Sequence, residues 1–245
     1  MKAKKIAILL CLISTYSFGQ GLAHFEQHLY NSYVDGNILD WEEIITKMKA
    51  SYLEERQTEL LYSLCFAQYG YIGYCIDRDL EKEAKECLRD ARKNANELDI
   101  LYNGRHDVLA LQGALLGYQI MLSKFSAMYL APKTFKLINT ASASSDTYFN
   151  CSLEIGNMRY FTPKFLGGSK EEAISYYKNA VEIIENSSLK EEHNWIYINT
   201  VLFLANAYYE TDSRDLACEL YERILNYEPK INWLRDEMLE NCKDL

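Results

Sequence analysis

Three prolines, Pro132, Pro163 and Pro229, are all that this 245-residue chain contains. Average usage would supply about 12 Pro and about 17 Gly at such a length, against 11 Gly here. A β-sandwich or barrel builds its many turns from Gly and Pro, and a Rossmann or P-loop domain needs a Gly-rich phosphate loop. Neither demand is met. Disorder is excluded as well, because 49% of the residues are hydrophobic and 25% are charged. A helical, globular chain remains.

The first twenty residues stand apart from the rest. Lys2, Lys4 and Lys5 form a basic start, Ile6 to Ile13 is an unbroken apolar run, and Ser17-Phe18-Gly19 places small residues ahead of a cleavage point. That is the anatomy of a secretory signal peptide, expected over 1–20, and its apolar run falls short of the about 20 residues that cross a bilayer. The expected location is therefore outside the cytoplasm, periplasmic or secreted. Losing the leader removes three Lys and leaves 23 bases against 35 acids, a net charge of −12 rather than −9. So acidic a chain is not expected to bind nucleic acid or, judged by net charge alone, an anionic membrane. No later run approaches membrane length, so no membrane insertion is expected after cleavage.

Helix punctuation recurs along the chain. Asp40-Trp-Glu-Glu43, Ser51-Tyr-Leu-Glu54 and Ser169-Lys-Glu-Glu172 each set a capping oxygen three residues before a Glu, the spacing of a capping box. Strand-like alternation is absent. The pattern predicts helices near 22–34, 40–50, 52–76, 79–97, 105–125, 128–141, 145–160, 169–186, 192–210 and 213–227, with a short one from 230. Loops this short favour antiparallel neighbours. The exception is 161–168, Phe-Thr-Pro-Lys-Phe-Leu-Gly-Gly, an insertion apolar enough to be expected to pack down.

The most informative spacing lies near the C-terminus. Counted from Ile198 as the first residue of a unit, Leu204 and Ala205 stand at positions 7 and 8, Tyr208 at 11, Ala217 at 20, Tyr221 at 24, Ile224 at 27 and Pro229 at 32. Small residues at positions 8 and 20 let two helices approach, aromatics at 11 and 24 fill the groove beside them, and Pro stops the second helix. Ala173, Tyr177 and Ala180 repeat the second-helix spacing. So do Ala84, Leu88 and Ala91, and, more poorly, Ala131, Phe135 and Ile138. Gly70, Gly73, Gly113, Gly117 and Gly156 lie in helices where close packing is the expected use.

These residues resemble the tetratricopeptide repeat (TPR), and Asn157 through Ala173, with its aromatic-Pro-Gly-Gly stretch, is similar to a segment of exported bacterial TPR proteins. The resemblance implies an all-α, right-handed superhelical solenoid of helix–turn–helix pairs. Residues 21–50 would form N-terminal capping helices, 51–228 about four degenerate repeats, and 229–245 a C-terminal capping helix. The Gly-Gly turn before an amphipathic helix is also similar to the periplasmic T component of some TRAP-type transporters.

Catalytic sets are not evident, so the chain is expected not to be an enzyme. Among its four His, His24 and His28 share one helix face with Glu26 between them, but a zincin reads His-Glu-x-x-His, and here the Glu points around the helix. His106 and His193 stand alone. No metal, and no cofactor, is expected. The six Cys after the leader include no CxxC pair. Free buried thiols are the expected state, and Cys75–Cys87 is the first bridge to test. In the best repeat, positions 2, 5, 9 and 12 face the concave side and are Asn199, Leu202, Asn206 and Tyr209. Amides, an apolar patch and an aromatic suit an extended peptide held by its backbone. The expectation is a scaffold binding a protein or peptide there. The alternative is a periplasmic small-molecule carrier or transporter-accessory protein of the TRAP T-component type.

Overall fold

The computed structural model describes residues 21–190, 194–238 and 242, so the leader at 1–20 and His193 lie outside the described residues. Within them are eleven α-helices and no strand. They are α1 (21–34), α2 (Trp41–Glu55), α3 (Thr58–Asp77), α4 (Glu81–Tyr102), α5 (His106–Leu122), α6 (Ala127–Ala141), α7 (Phe149–Phe161), α8 (Lys170–Glu185), α9 (Trp195–Glu210), α10 (Arg214–Tyr227) and α11 (Asn232–Met238).

Two kinds of helix alternate, and their sequences say why. α3 buries residues around most of its circumference, among them Leu60, Leu61, Leu64, Phe66, Tyr69 and Ile72, and α9 does the same from Trp195 to Ala207. α4 buries one stripe, Ala84, Leu88, Ala91, Ala95 and Leu98, and α10 only Ala217, Tyr221 and Ile224. A helix that is apolar all round is enclosed, and one with a single apolar stripe forms an outer layer. The tightest neighbours are accordingly α3 with α4, α5 with α6, α7 with α8 and α9 with α10. First helices also pack on one another, α3 on α5 and α5 on α7, so the pairs stack as a solenoid.

The repeat spacing does the packing it implied in three of the four pairs. Ala84, Ala91, Ala173, Ala180, Ala205 and Ala217 are fully buried. At Gly156 an added Cβ would stand 2.5 Å from Cε1 of Tyr177, so glycine is what lets α7 and α8 touch. Gly117 is different: open space surrounds it. The poorest copy departs most. In α6 the buried residues are Thr134, Ile138 and Ala141, while Phe135 is exposed and Ala131 half-buried. The fully buried residues of α6 lie in its C-terminal half, where Gly113 of α5 admits Ile138.

Several local expectations change. α2 runs straight through Ser51, because Met48 and Tyr52 continue its buried stripe, and it stops where Arg56 turns left-handed at φ 53°. Asp40 sits in a helical turn of its own and makes no capping hydrogen bond. Ser169 does cap, its Oγ accepting from the Glu172 N–H at 3.1 Å. The 161–168 insertion does not pack down. The Ser169 N–H donates to the Arg159 carbonyl at 2.9 Å, and at Gly168 a Cβ would lie 1.7 Å from the Thr162 carbonyl oxygen. The base of the loop is pinched shut, and Phe165 and Leu166 are pushed outward into solvent.

The ends of the chain meet. Trp41 Nε1 donates to the Leu29 carbonyl at 3.1 Å, Trp233 Nε1 donates to the Tyr33 carbonyl at 3.0 Å, and the Tyr30 hydroxyl donates to Glu228 at 2.7 Å. Trp41 and Trp195 meet edge to face at 4.9 Å over Gly70, where a Cβ would come within 2.7 Å of both indoles. A disulfide joins Cys218 of α10 to Cys242, with Cα atoms 5.9 Å apart. Cys75 and Cys87, the pair expected first, are both free thiols, and burial pushes the Cys87 thiol up to about 12.

Candidate functional site

The candidate surface is that of the first helices of the pairs, α3, α5, α7 and α9. Its α9 portion carries the four residues singled out from sequence, and their environments divide them. The Tyr33 hydroxyl of α1 donates to Asn199 Oδ1 at 3.5 Å, and Leu202 is buried in the main core. Asn206 is exposed, its Oδ1 accepting from the Tyr221 hydroxyl at 3.3 Å. Tyr209 is half-buried beneath the Arg214 guanidinium, 5.2 Å above the ring. Two of the four are therefore covered and two face outward at the other end of α9.

The cover is α1. Besides Asn199 it reaches α3, where the Ser63 hydroxyl donates to Glu26 at 3.2 Å, and Trp195 of α9, whose ring lies 6.0 Å from that of Tyr33. The sequence places 21–50 as a cap, and its helix α1 spans from the first pair to the last. Its apolar stripe of Leu22, Phe25, Leu29, Tyr33 and Val34 marks a packing helix, but no periodicity says which surface it will cover.

Sequence reasoning passes over a second feature of the inner surface. Tyr69 of α3 stacks on Tyr118 of α5 at 5.3 Å. Beside them Glu154 of α7 is buried, accepting from Asn157 Nδ2 at 3.1 Å and also from the Tyr69 hydroxyl. The Tyr177 hydroxyl donates to Asn157 Oδ1 at 2.9 Å. Desolvation outweighs those two hydrogen bonds and pushes the Glu154 carboxyl up to about 7. Burial likewise holds the Tyr69 and Tyr118 hydroxyls well above their ordinary range. The cluster can hold or release one proton near neutral pH, and it locks three first helices together. The single hint in the sequence is a lone acid inside the helical run Cys151-Ser-Leu-Glu-Ile-Gly156.

No family model matches the sequence, and no curated protein does. Among solved structures the fold is similar to that of TTC0263, a thermophilic TPR protein of Thermus thermophilus, with a TM-score of 0.55 at 16% identity. The match covers 86% of this chain and 94% of that one. The fold is TPR-like. Likeness at that identity speaks for the fold alone, and within it the four pairs α3–α4 to α9–α10 take the place of TPR units.

The other residues weighed above lie elsewhere. His24 and His28 lie on α1 with ring centroids 4.2 Å apart, exposed. Among the described residues no group of three His, Cys, Asp or Glu is placed to hold a metal ion. His106 Nδ1 lies 2.7 Å from the Ser144 hydroxyl. Two hollows lie between α4 and α5, the second reaching α6, and no residue of α9 lines either. One, of about 450 Å³, is lined by Lys85, Arg89, Arg92 and Lys93 over Leu88 and Leu122. The other, of about 240 Å³, is lined by Asn96, Asp99, Gln112 and Lys133 among others.

Proposed function

We propose that this protein is a non-enzymatic scaffold of the bacterial cell envelope that holds a protein or peptide partner against its inner surface. The observation that carries the reading is α1, a helix of the chain itself, seated on α3 and α9 through Tyr33, Trp195 and Asn199. A surface that accepts one polypeptide segment by aromatic packing and side-chain hydrogen bonds has the chemistry to accept another beside it. The free stretch for that partner runs along the outer end of α9, at Asn206 and Tyr209. Leu202 and Asn199 support it from below. Placement in the envelope rests on the signal-peptide pattern of residues 1–20.

The test is affinity capture from an envelope extract, with the native chain beside an Asn206→Ala/Tyr209→Ala variant. Neither side chain is deep in the core, so the variant keeps its fold, which circular dichroism checks. A partner retained by the native chain and lost by the variant is the expected result. Identical partner lists, or no partner, would remove the groove assignment. The transporter-accessory reading has less support: its Gly167-Gly168 turn lines neither hollow, and no residue of α9 lines either of them.

A further inference from the structure

Asn150 Nδ2, in the first turn of α7, donates to the carbonyl of Asp107 in the first turn of α5 at 2.7 Å. The two neighbouring helices thus start at one end of the solenoid and finish at the other. The turns that follow them, α5–α6 and α7–α8, share an edge. Both turns present large apolar side chains to solvent. Phe125 is 93% exposed and Phe165 86%, with Met128, Tyr129 and Leu166 beside them in sequence, also exposed. This is the edge on which α6 begins, with Met128 and Tyr129 outward, and on which the 161–168 loop is pinched outward.

The segments that carry these tips are richer in bases than acids, although Glu171, Glu172 and Glu210 border them. Residues 108–145 contain no Asp or Glu but include Lys124, Lys133 and Lys136, and residues 155–170 contain no acid but include Arg159, Lys164 and Lys170. Arg159 and Lys170 are paired, with Glu172 and Glu210. Lys124, Lys133 and Lys136 make no ion pair among the described residues and are exposed, and the equally exposed Lys164 lies near enough to Glu171 to help lower its carboxyl. Met128, Tyr129, Pro132, Lys133 and Lys136 fall on one outward face of α6. At the end of α5, Leu122 and Ser123 also line the larger hollow, whose rim cations are already engaged, Lys85 with Glu81, Arg89 and Lys93 with Asp90, and Arg92 with Gln119.

We propose that this edge is a docking surface for an anionic lipid bilayer. Apolar side chains on separate protruding tips need a medium that deforms around them, whereas a folded partner would have to supply a matching hollow for each. Unpaired Lys around apolar tips is the arrangement that sits at the headgroup boundary, rings and thioethers below it and ammonium groups among the anionic headgroups. The acidic charge elsewhere does not cancel this, because at physiological salt fields fade within about 8 Å. Membrane association here is peripheral: among the described residues no helix is long and apolar enough to cross a bilayer.

The experiment needs a readout at the edge itself, since the basic, apolar leader of the full chain has membrane affinity of its own. Phe125→Trp and Phe165→Trp each place an indole on a tip. Of the three native Trp, Trp41 and Trp195 are buried and Trp233 is half-buried with its Nε1 bonded to the Tyr33 carbonyl, and the parent spectrum is subtracted. With vesicles containing phosphatidylglycerol, the introduced indole should shift to the blue and be quenched by brominated acyl chains. Pure phosphatidylcholine should give at least tenfold weaker apparent binding. Changing Lys124, Lys133, Lys136 and Lys164 together to Gln should weaken the response on anionic vesicles at least tenfold. An introduced indole that stays water-like on anionic vesicles overturns the proposal, as does a response that ignores the Lys changes. A blue shift that appears without lipid and grows with protein concentration overturns it in favour of a second copy of the chain as occupant.

Discussion

Replacing Glu154 by Gln tests the buried cluster on the inner surface most directly. The carboxyl is raised to about 7 from its ordinary 4.5. In the folded protein it therefore keeps a proton that the unfolded chain has already released, and the folded state binds more protons between those two values. Stability must fall as pH rises through that window, because the slope follows unfolded minus folded protons. For one group with these two values, the loss between pH 5 and pH 8 is about 2.5 kcal/mol. Glutamine keeps the shape and the hydrogen-bonding oxygen but has no proton to lose. Urea unfolding at both pH values, followed by circular dichroism, should show the native midpoint dropping by about 1 M more than that of the Glu154→Gln chain. At pH 8 the variant should be the more stable of the two. If both chains lose stability in parallel from pH 5 to 8, Glu154 is ionised in the fold at an ordinary pKa, and the account of its burial fails.

Two further outcomes follow from packing and cross-linking. Gly70→Ala would drive a methyl group to within 2.7 Å of two rigid indoles, so it should cost about 1–3 kcal/mol and change the near-ultraviolet dichroism of Trp41 and Trp195, whereas Gly117→Ala, set in open space, should cost nothing of that kind. Reducing the Cys218–Cys242 bridge, whose cysteines are 24 residues apart, should lower stability by about 3 kcal/mol. Mass spectrometry after alkylation should find these two cysteines labelled only once the native protein has been reduced, and labelling without reduction would show that no bridge forms.

What could be read in advance follows from which forces are local. The scarcity of Pro and Gly, the alternation of all-round and one-sided helices, and Ala at close contacts are properties of short windows, so helix positions and pairing were legible. Ser51 misled because a capping box is worth about 1 kcal/mol, less than burying Met48 and Tyr52 on the same continuous helix. Phe165 and Leu166 misled because composition favours burial, while their exposure is set by the backbone pinch at Gly168. Asn199 and Tyr33 are 166 residues apart, and no spacing in either segment announces that α1 would cover Asn199. Glu154 was hidden for a related reason: its pKa is raised by burial, and that burial is made by helices of other repeats, which bring up Tyr69 and Tyr118.

The bonds from α1 to the far end of the chain span 198 residues at Tyr30–Glu228 and 200 at Tyr33–Trp233. An open repeat array needs only nearest-neighbour contacts and can form or melt one unit at a time from either end. Here α1 finds its seat only once the distant C-terminal repeat is in place. The array is thereby tied into a loop whose halves must form together, trading the quick, piecemeal folding of a solenoid for the slower, all-or-none behaviour of a chain with distant contacts.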